Sequence, residues 1–107
     1  MTIEYRWTQS EKVIARRTFD RAYERECTNI LNEVKEILSK MESPKEVWKI
    51  EDYLDKKRTK VDGKYDYRYS VLISVFGRLL RERLIEESDL KGLQQDKIER
   101  IKLISSL

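Results

Sequence analysis

A chain of 107 residues has room for one domain and no more, so residues 1–107 are expected to fold as a single unit. With 39% hydrophobic residues against 40% charged, an independent core has little material, and three Gly with one Pro are too few turn signals for an all-β fold of this length. The 23 basic and 20 acidic residues leave a net charge of only +3, a weak field for nucleic acid, and the absence of His removes the commonest general base and metal ligand.

The opening run Met1-Thr2-Ile3-Glu4-Tyr5-Arg6-Trp7 lacks the apolar centre of a signal peptide, and the longest apolar run, Val71-Leu72-Ile73, is far too short to span a bilayer. A cytoplasmic protein is expected. Thr8-Gln9-Ser10-Glu11 has the spacing of a capping box, which predicts a helix start. Beyond it Ala15, Phe19, Tyr23, Cys27, Ile30, Leu31, Val34, Ile37, Leu38 and Met41 recur at steps of three and four, and no Gly or Pro interrupts residues 9–42. At 1.5 Å per residue this helix reaches about 45–50 Å, more than a small globule can cover, so its stripe is expected to pack on a second copy. Cys27 stands alone, without a second Cys or a His at metal-ligand spacing, which fits a reducing compartment.

Ser43-Pro44-Lys45-Glu46 predicts a helix restart, with Ser at N-cap, Pro at the first helical position and Glu at the third. The second helix then carries Val47, Trp48, Ile50, Leu54 and Val61, and Asp62-Gly63 is expected to break it. Trp48 lies close to Glu51, Asp52, Asp55 and Arg58, a mixed patch of the type that dominates protein interfaces, although the same Trp could simply pack the second helix on the first. Lys56-Lys57-Arg58-Thr59-Lys60 followed by Tyr65, Tyr67 and Tyr69 combines cations with aromatics as single-strand binders do, but Asp55, Asp62 and Asp66 dilute its field. Asp52, Asp55, Asp62 and Asp66 are interleaved with Lys and Arg, the pattern of solvated ion pairs rather than of a catalytic pair. A calcium loop starting at Asp62 fails at its twelfth position, which is Ile73.

Tyr65, Tyr69, Leu72, Ile73, Phe76, Leu79 and Leu80 predict a third, most buried helix continuing through Leu84. Ser88 or Asp89 is expected to cap a fourth that presents Leu90, Leu93, Ile98, Ile101 and Ile104. The expected fold is all-α: one long N-terminal helix and three shorter ones, with an extended stalk, a helical head from the last pair, and a homodimer. No enzymatic activity, metal or cofactor is expected.

The runs Glu46-Val47-Trp48-Lys49-Ile50-Glu51-Asp52-Tyr53-Leu54-Asp55-Lys56-Lys57-Arg58 and Val61-Asp62-Gly63-Lys64-Tyr65-Asp66-Tyr67-Arg68-Tyr69-Ser70-Val71-Leu72-Ile73 resemble the fluorescence recovery protein family of cyanobacteria. The similarity extends to Trp7-Thr8-Gln9-Ser10-Glu11, Ala22-Tyr23-Glu24-Arg25-Glu26, Leu93, Asp96-Lys97 and Ile98, nearly the whole chain. It implies a helical dimer that binds the photoactivated red orange carotenoid protein, chiefly through that protein's C-terminal domain. The binding speeds return to the resting orange form and ends quenching of the phycobilisome antenna, in the cytoplasm or peripherally at the cytoplasmic face of thylakoids. It also implies that Trp48, Asp52 and Arg58 form a dimer-interface and activity patch, which tilts Trp48 towards an interface. Two departures accompany it: Glu51 stands where the family's best-known pattern has His, and Ser74 where it has Phe on the head. Glu51, Ser74 and Phe76 therefore join the candidate interface residues. A like-folded adaptor with a different protein partner, in a bacterium lacking the carotenoid protein, and a small nucleic-acid-binding helical protein are the alternatives.

Overall fold

The computed structural model describes residues 4–107, so Met1, Thr2 and Ile3 of the opening run lie outside the described residues. The Thr8 box forms as expected: Thr8 Oγ1 accepts from the Glu11 amide at 3.2 Å and Glu11 Oε1 accepts from the Thr8 amide at 3.1 Å. Helix α1 then runs Gln9–Ser39, ending slightly short of residue 42. Its single apolar stripe has two fates. Ala15, Thr18, Phe19 and Ala22 are buried in the head, whereas from Tyr23 to Ser39 no side chain is fully buried.

Ser43 caps the restart, with Glu46 Oε2 accepting from the Ser43 and Glu42 amides at 3.0 and 2.7 Å. Pro44–Val47 makes one 3₁₀ turn before α2, Trp48–Lys64. The helix passes straight through Asp62-Gly63, contrary to expectation: a Cβ at Gly63 would meet nothing, and the glycine is simply solvated in the last turn. α2 returns antiparallel along α1, as the Lys57–Glu33 and Lys64–Glu26 pairs show. Together the two make the stalk.

Tyr65 and Tyr69 do not belong to the third helix, which corrects the sequence assignment. They lie in a non-helical segment in which Tyr65, Tyr67 and Tyr69 alternate with Asp66 and Arg68, and Tyr69 enters the turn closed by the Val71 amide on the Arg68 carbonyl at 3.0 Å. Period two fits the spacing of four as well as a helix does, and packing decides between them. Tyr65 and Tyr67 set their rings against Phe19 at 5.3 and 4.9 Å, Tyr65 also meets Tyr23 at 5.2 Å, and Tyr69 meets Trp7 at 5.7 Å.

α3 spans Leu72–Arg81 and stops before Leu84, three residues earlier than its periodicity suggests. Arg83 takes a φ of 61°, its amide donates to the Leu80 carbonyl at 3.1 Å, and the Leu84 amide reaches back to Leu79 at 2.9 Å. This is a Schellman stop with Arg where Gly is usual, and the buried Leu84 supplies its hydrophobic contact. Ser88 and Asp89 belong to a short 3₁₀ turn, Glu87–Leu90, and α4 begins only at Gln95, running to Ser105. The displacement comes from Gly92, held at φ 102° against Ile14, and it moves Leu90 and Leu93 into the core ahead of α4 rather than on it.

α3 and α4 pack closely because Gly77 leaves room for Ile104. Leu72, Phe76, Leu79, Leu90 and Ile101 fill the head with no exposed surface, and the first half of α1 completes it. A buried ion pair bolts α1 to α4: Lys97 Nζ lies 3.0 Å from Glu11 Oε2, and the same carboxylate accepts from the Gln94 amide at 2.9 Å. The protomer measures 54 × 28 × 25 Å with a radius of gyration of 16.9 Å, against about 13 Å for a compact chain of this length. The excess is the stalk.

Candidate functional site

The stalk displays what the head has covered. On a helix of 3.6 residues per turn, Trp48, Glu51, Asp55 and Arg58 share one edge of α2. With Val47, Ile50 and Leu54 they line an open groove of about 530 Å³. The Trp48 ring is 69% exposed, so it does not pack α2 onto α1. Next to it Tyr23, Cys27, Ile30 and Val61 line a second groove of about 370 Å³ that shares Leu54 and Arg58 with the first. Leu31 and Leu38 on α1 are also half exposed. The two adjoining grooves form an apolar surface with charges at its rim, the anatomy of an interface core and its border, and Leu31 and Leu38 add exposed apolar area on α1.

The charged candidates are paired locally and loosely. Asp52 meets Lys56 at 3.0 Å and Arg58 meets Asp62 at 3.8 Å, all four side chains being well exposed. Such solvated pairs open at little cost, which leaves both residues available to another molecule. Asp52 lies one turn from Trp48 on the flank of the groove and does not line it. The structure therefore brings Trp48, Glu51 and Arg58 into one groove with Asp52 beside it.

The head residues sit elsewhere. Ser74 is exposed on α3 and shares an edge with Arg78 and Arg81. Arg81 Nη1 donates to the Leu107 carbonyl at 3.4 Å, so this edge adjoins the end of α4, where Leu103 and Leu107 are exposed. Phe76 is fully enclosed in the head core, and its expected place at an interface is corrected: it faces Leu72 and Leu79 rather than solvent, because its position on α3 is rotated away from Ser74. Leu103, Leu107 and Arg81 were not singled out from the sequence. Leu107 lies beyond the last helical repeat, and Leu103 and Arg81 fall outside the apolar spacing that marks their helices.

Every carboxylate displaced from its ordinary range is displaced downward. At Glu11, Glu82 and Asp89 burial pushes the pKa up, but hydrogen bonds and neighbouring cations outweigh it. Lys49 and the Glu42 and Ser43 amides bring Glu46 to about 2, and Arg68 lowers Asp66. Groups held ionised in this way are the reverse of a general acid poised near neutrality. Burial raises Tyr65, and raises Tyr67 to about 12. The rings of Tyr65 and Tyr67 are occupied against Phe19, so they are not free to stack on bases beside the Lys56–Lys60 strip. Among the described residues no acidic or thiol cluster suits a metal ion, and no helix is long and apolar enough to cross a membrane.

Comparison with known proteins matches residues 7–105 to the family described as photoprotection regulator fluorescence recovery protein. The chain is 40% identical over 106 residues to the fluorescence recovery protein of Synechocystis sp. (strain ATCC 27184 / PCC 6803 / Kazusa), covering 99% of this chain and 97% of that protein. The solved structure of the Synechocystis sp. PCC 6803 protein superposes with a TM-score of 0.87 at 39% identity. That of Fremyella diplosiphon superposes at 0.86 and 35%, and each covers 95% of this chain and all of the other.

Proposed function

The chain belongs to the fluorescence recovery protein family of photoprotection regulators, and from that premise we propose that it works as a homodimer that binds the photoactivated orange carotenoid protein and speeds its return to the resting form. The observation that carries this is the Trp48 groove: a large apolar surface left open on a family-matched helix of a chain with too little core to waste it. Trp48, Leu54 and the adjoining Tyr23 and Ile30 supply apolar area to the second protomer. Asp52 and Arg58 exchange their exposed local partners for charge-assisted hydrogen bonds across the two-fold axis.

The head then offers a separate surface, the Ser74 edge with Arg81, Leu103 and Leu107, to the C-terminal domain of the carotenoid protein. A binding protein cannot drive the red form back; it lowers the barrier by holding compact or intermediate states better than the open one. The chain needs no chemistry for this. It acts in the cytoplasm, where the carotenoid protein meets the antenna at the thylakoid face.

The exposed Ser74 supports a second reading, an adaptor of the same fold with another protein partner, since a small hydroxyl offers no aromatic anchor. Mixing the protein with photoconverted orange carotenoid protein and following the red-to-orange relaxation in the dark separates the two. Dose-dependent acceleration, lost on Trp48→Ala or Arg58→Ala, supports the first. No acceleration by a folded dimer, across carotenoid proteins from several sources, favours the second.

A further inference from the structure

Lys64 is the only fully buried residue of α2. Every apolar residue of that helix keeps some exposure, so α2 gives the head no core side chain; what it buries instead is a charge. Lys64 Nζ sits 2.6 Å from Glu26 Oε2 of α1 and 2.7 Å from Glu82 Oε1, the residue that ends α3. Its side chain is 4% exposed. Arg78 holds Glu82 from the other side at 2.8 Å, and the Tyr65 ring lies 5.9 Å from the ammonium. Three elements thus meet on one nitrogen.

Apolar contact is non-directional and lets packed surfaces slide, whereas an ammonium fixed between two carboxylates permits one arrangement of the three backbones that carry them. Buried ion clusters contribute little net stability, because desolvation offsets much of their attraction, and in some proteins what they contribute instead is a specified geometry. From this we infer that Lys64 is a positioning residue: with α1 continuous through stalk and head, its ion cluster sets the angle at which α2, the helix that carries the Trp48 groove, meets the head. This rests on the proposed function in one respect, that the stalk joins two copies while the head takes the partner. The angle then decides where two head surfaces stand relative to each other, and with it whether both can reach their targets.

The test measures the angle without any partner. Spin labels go on exposed positions of stalk and head, Lys60→Cys and Glu99→Cys in a Cys27→Ser background, and labelled protein is diluted with unlabelled protein so that distances within one protomer dominate. The parent should give one narrow distance distribution. Glu26→Gln/Lys64→Met/Glu82→Gln replaces the cluster by groups of similar volume without leaving a buried charge. It should keep its helicity and melt within a few degrees of the parent while its distribution broadens at least twofold or shifts. A folded triple variant with an unchanged narrow distribution overturns the inference. Should that variant fail to fold, Glu82→Gln alone removes one arm and should broaden the distribution partway; no change there overturns the inference equally. Because no carotenoid protein is present, this result stands or falls independently of the proposed function.

Discussion

Replacing Lys97 by Met strips the partner from a carboxylate that has almost no access to water. Glu11 and Lys97 are 2% and 1% exposed, with the ammonium 3.0 and 3.2 Å from the two carboxylate oxygens. Removing one member of such a pair typically costs about 3–5 kcal/mol, because the survivor is left charged and desolvated. Here the Gln94 and Thr8 amides still donate to Glu11 at 2.9 and 3.1 Å, which places the expected loss near the lower end, about 3 kcal/mol. That is a large part of the roughly 5–15 kcal/mol available to a domain of this size. The lost cation also sat 5.3 Å from the Trp7 ring, so the N-terminal arm should loosen with it. Adding Glu11→Gln to Lys97→Met removes the orphaned charge and should return about 1–2 kcal/mol. Urea unfolding at fixed protomer concentration, compared at equal slope, measures both. A single-variant loss under 1 kcal/mol, or a double variant no more stable than the single, would refute the reasoning. The pH dependence supplies an independent check. The folded-state pKa of Glu11 lies below its ordinary value, so its contribution is fully present above pH about 4.5 and disappears as pH falls through the folded value. Lys97→Met should shrink that part of the acid transition without removing it, since the Gln94 and Thr8 amides still hold the carboxylate down.

Gly77→Ala gains up to about 1 kcal/mol of helix propensity but sets a Cβ against the Ile104 side chain, 2.7 Å from its Cβ, and should cost about 1–2 kcal/mol net; Ile104→Ala in the same background removes the Cγ2 contact but keeps that Cβ, and should relieve the clash only in part. Arg83→Gly releases a left-handed residue at the end of α3 and should stabilise by about 0.5–1 kcal/mol, seen as a melting point a few degrees higher. Trp48→Ala should barely affect protomer folding, since the ring is exposed there, yet raise the dimer dissociation constant by about 30-fold, or about 2 kcal/mol, in analytical ultracentrifugation. Unchanged self-association would remove Trp48 from the interface.

What the sequence made legible was local chemistry. The Thr8 and Ser43 caps sit where their spacing placed them, because a capping box needs only four consecutive residues to form. The breaks were less legible. Asp62-Gly63 carries a turn dipeptide yet stays helical, and the real break after Lys64 comes from Tyr65 and Tyr67 finding Phe19, a contact forty-odd residues distant in the chain. The stop at Arg83 was hidden because Arg occupies a position where Gly would have announced it. At the candidate site, Trp48, Glu51 and Arg58 fall together by helical spacing alone. Phe76 was misplaced because periodicity marks an apolar face without saying whether a partner or the protein's own core covers it.

The same limitation explains α1. Its stripe repeats without change from Ala15 to Leu38, but Ala15, Phe19 and Ala22 are enclosed while Leu31 and Leu38 remain half exposed. Nothing in the residues themselves distinguishes the two halves; the difference is that α3, α4 and the tyrosine segment reach the first half and only the slender, charge-latched α2 reaches the second. A chain in which two-fifths of residues are charged cannot build a second layer over the stalk from its own sequence. The proposed self-association would cover an apolar surface that the chain lacks the apolar residues to cover itself. It also explains why α2 can be fastened to the head by an ion cluster: its apolar face is committed outward.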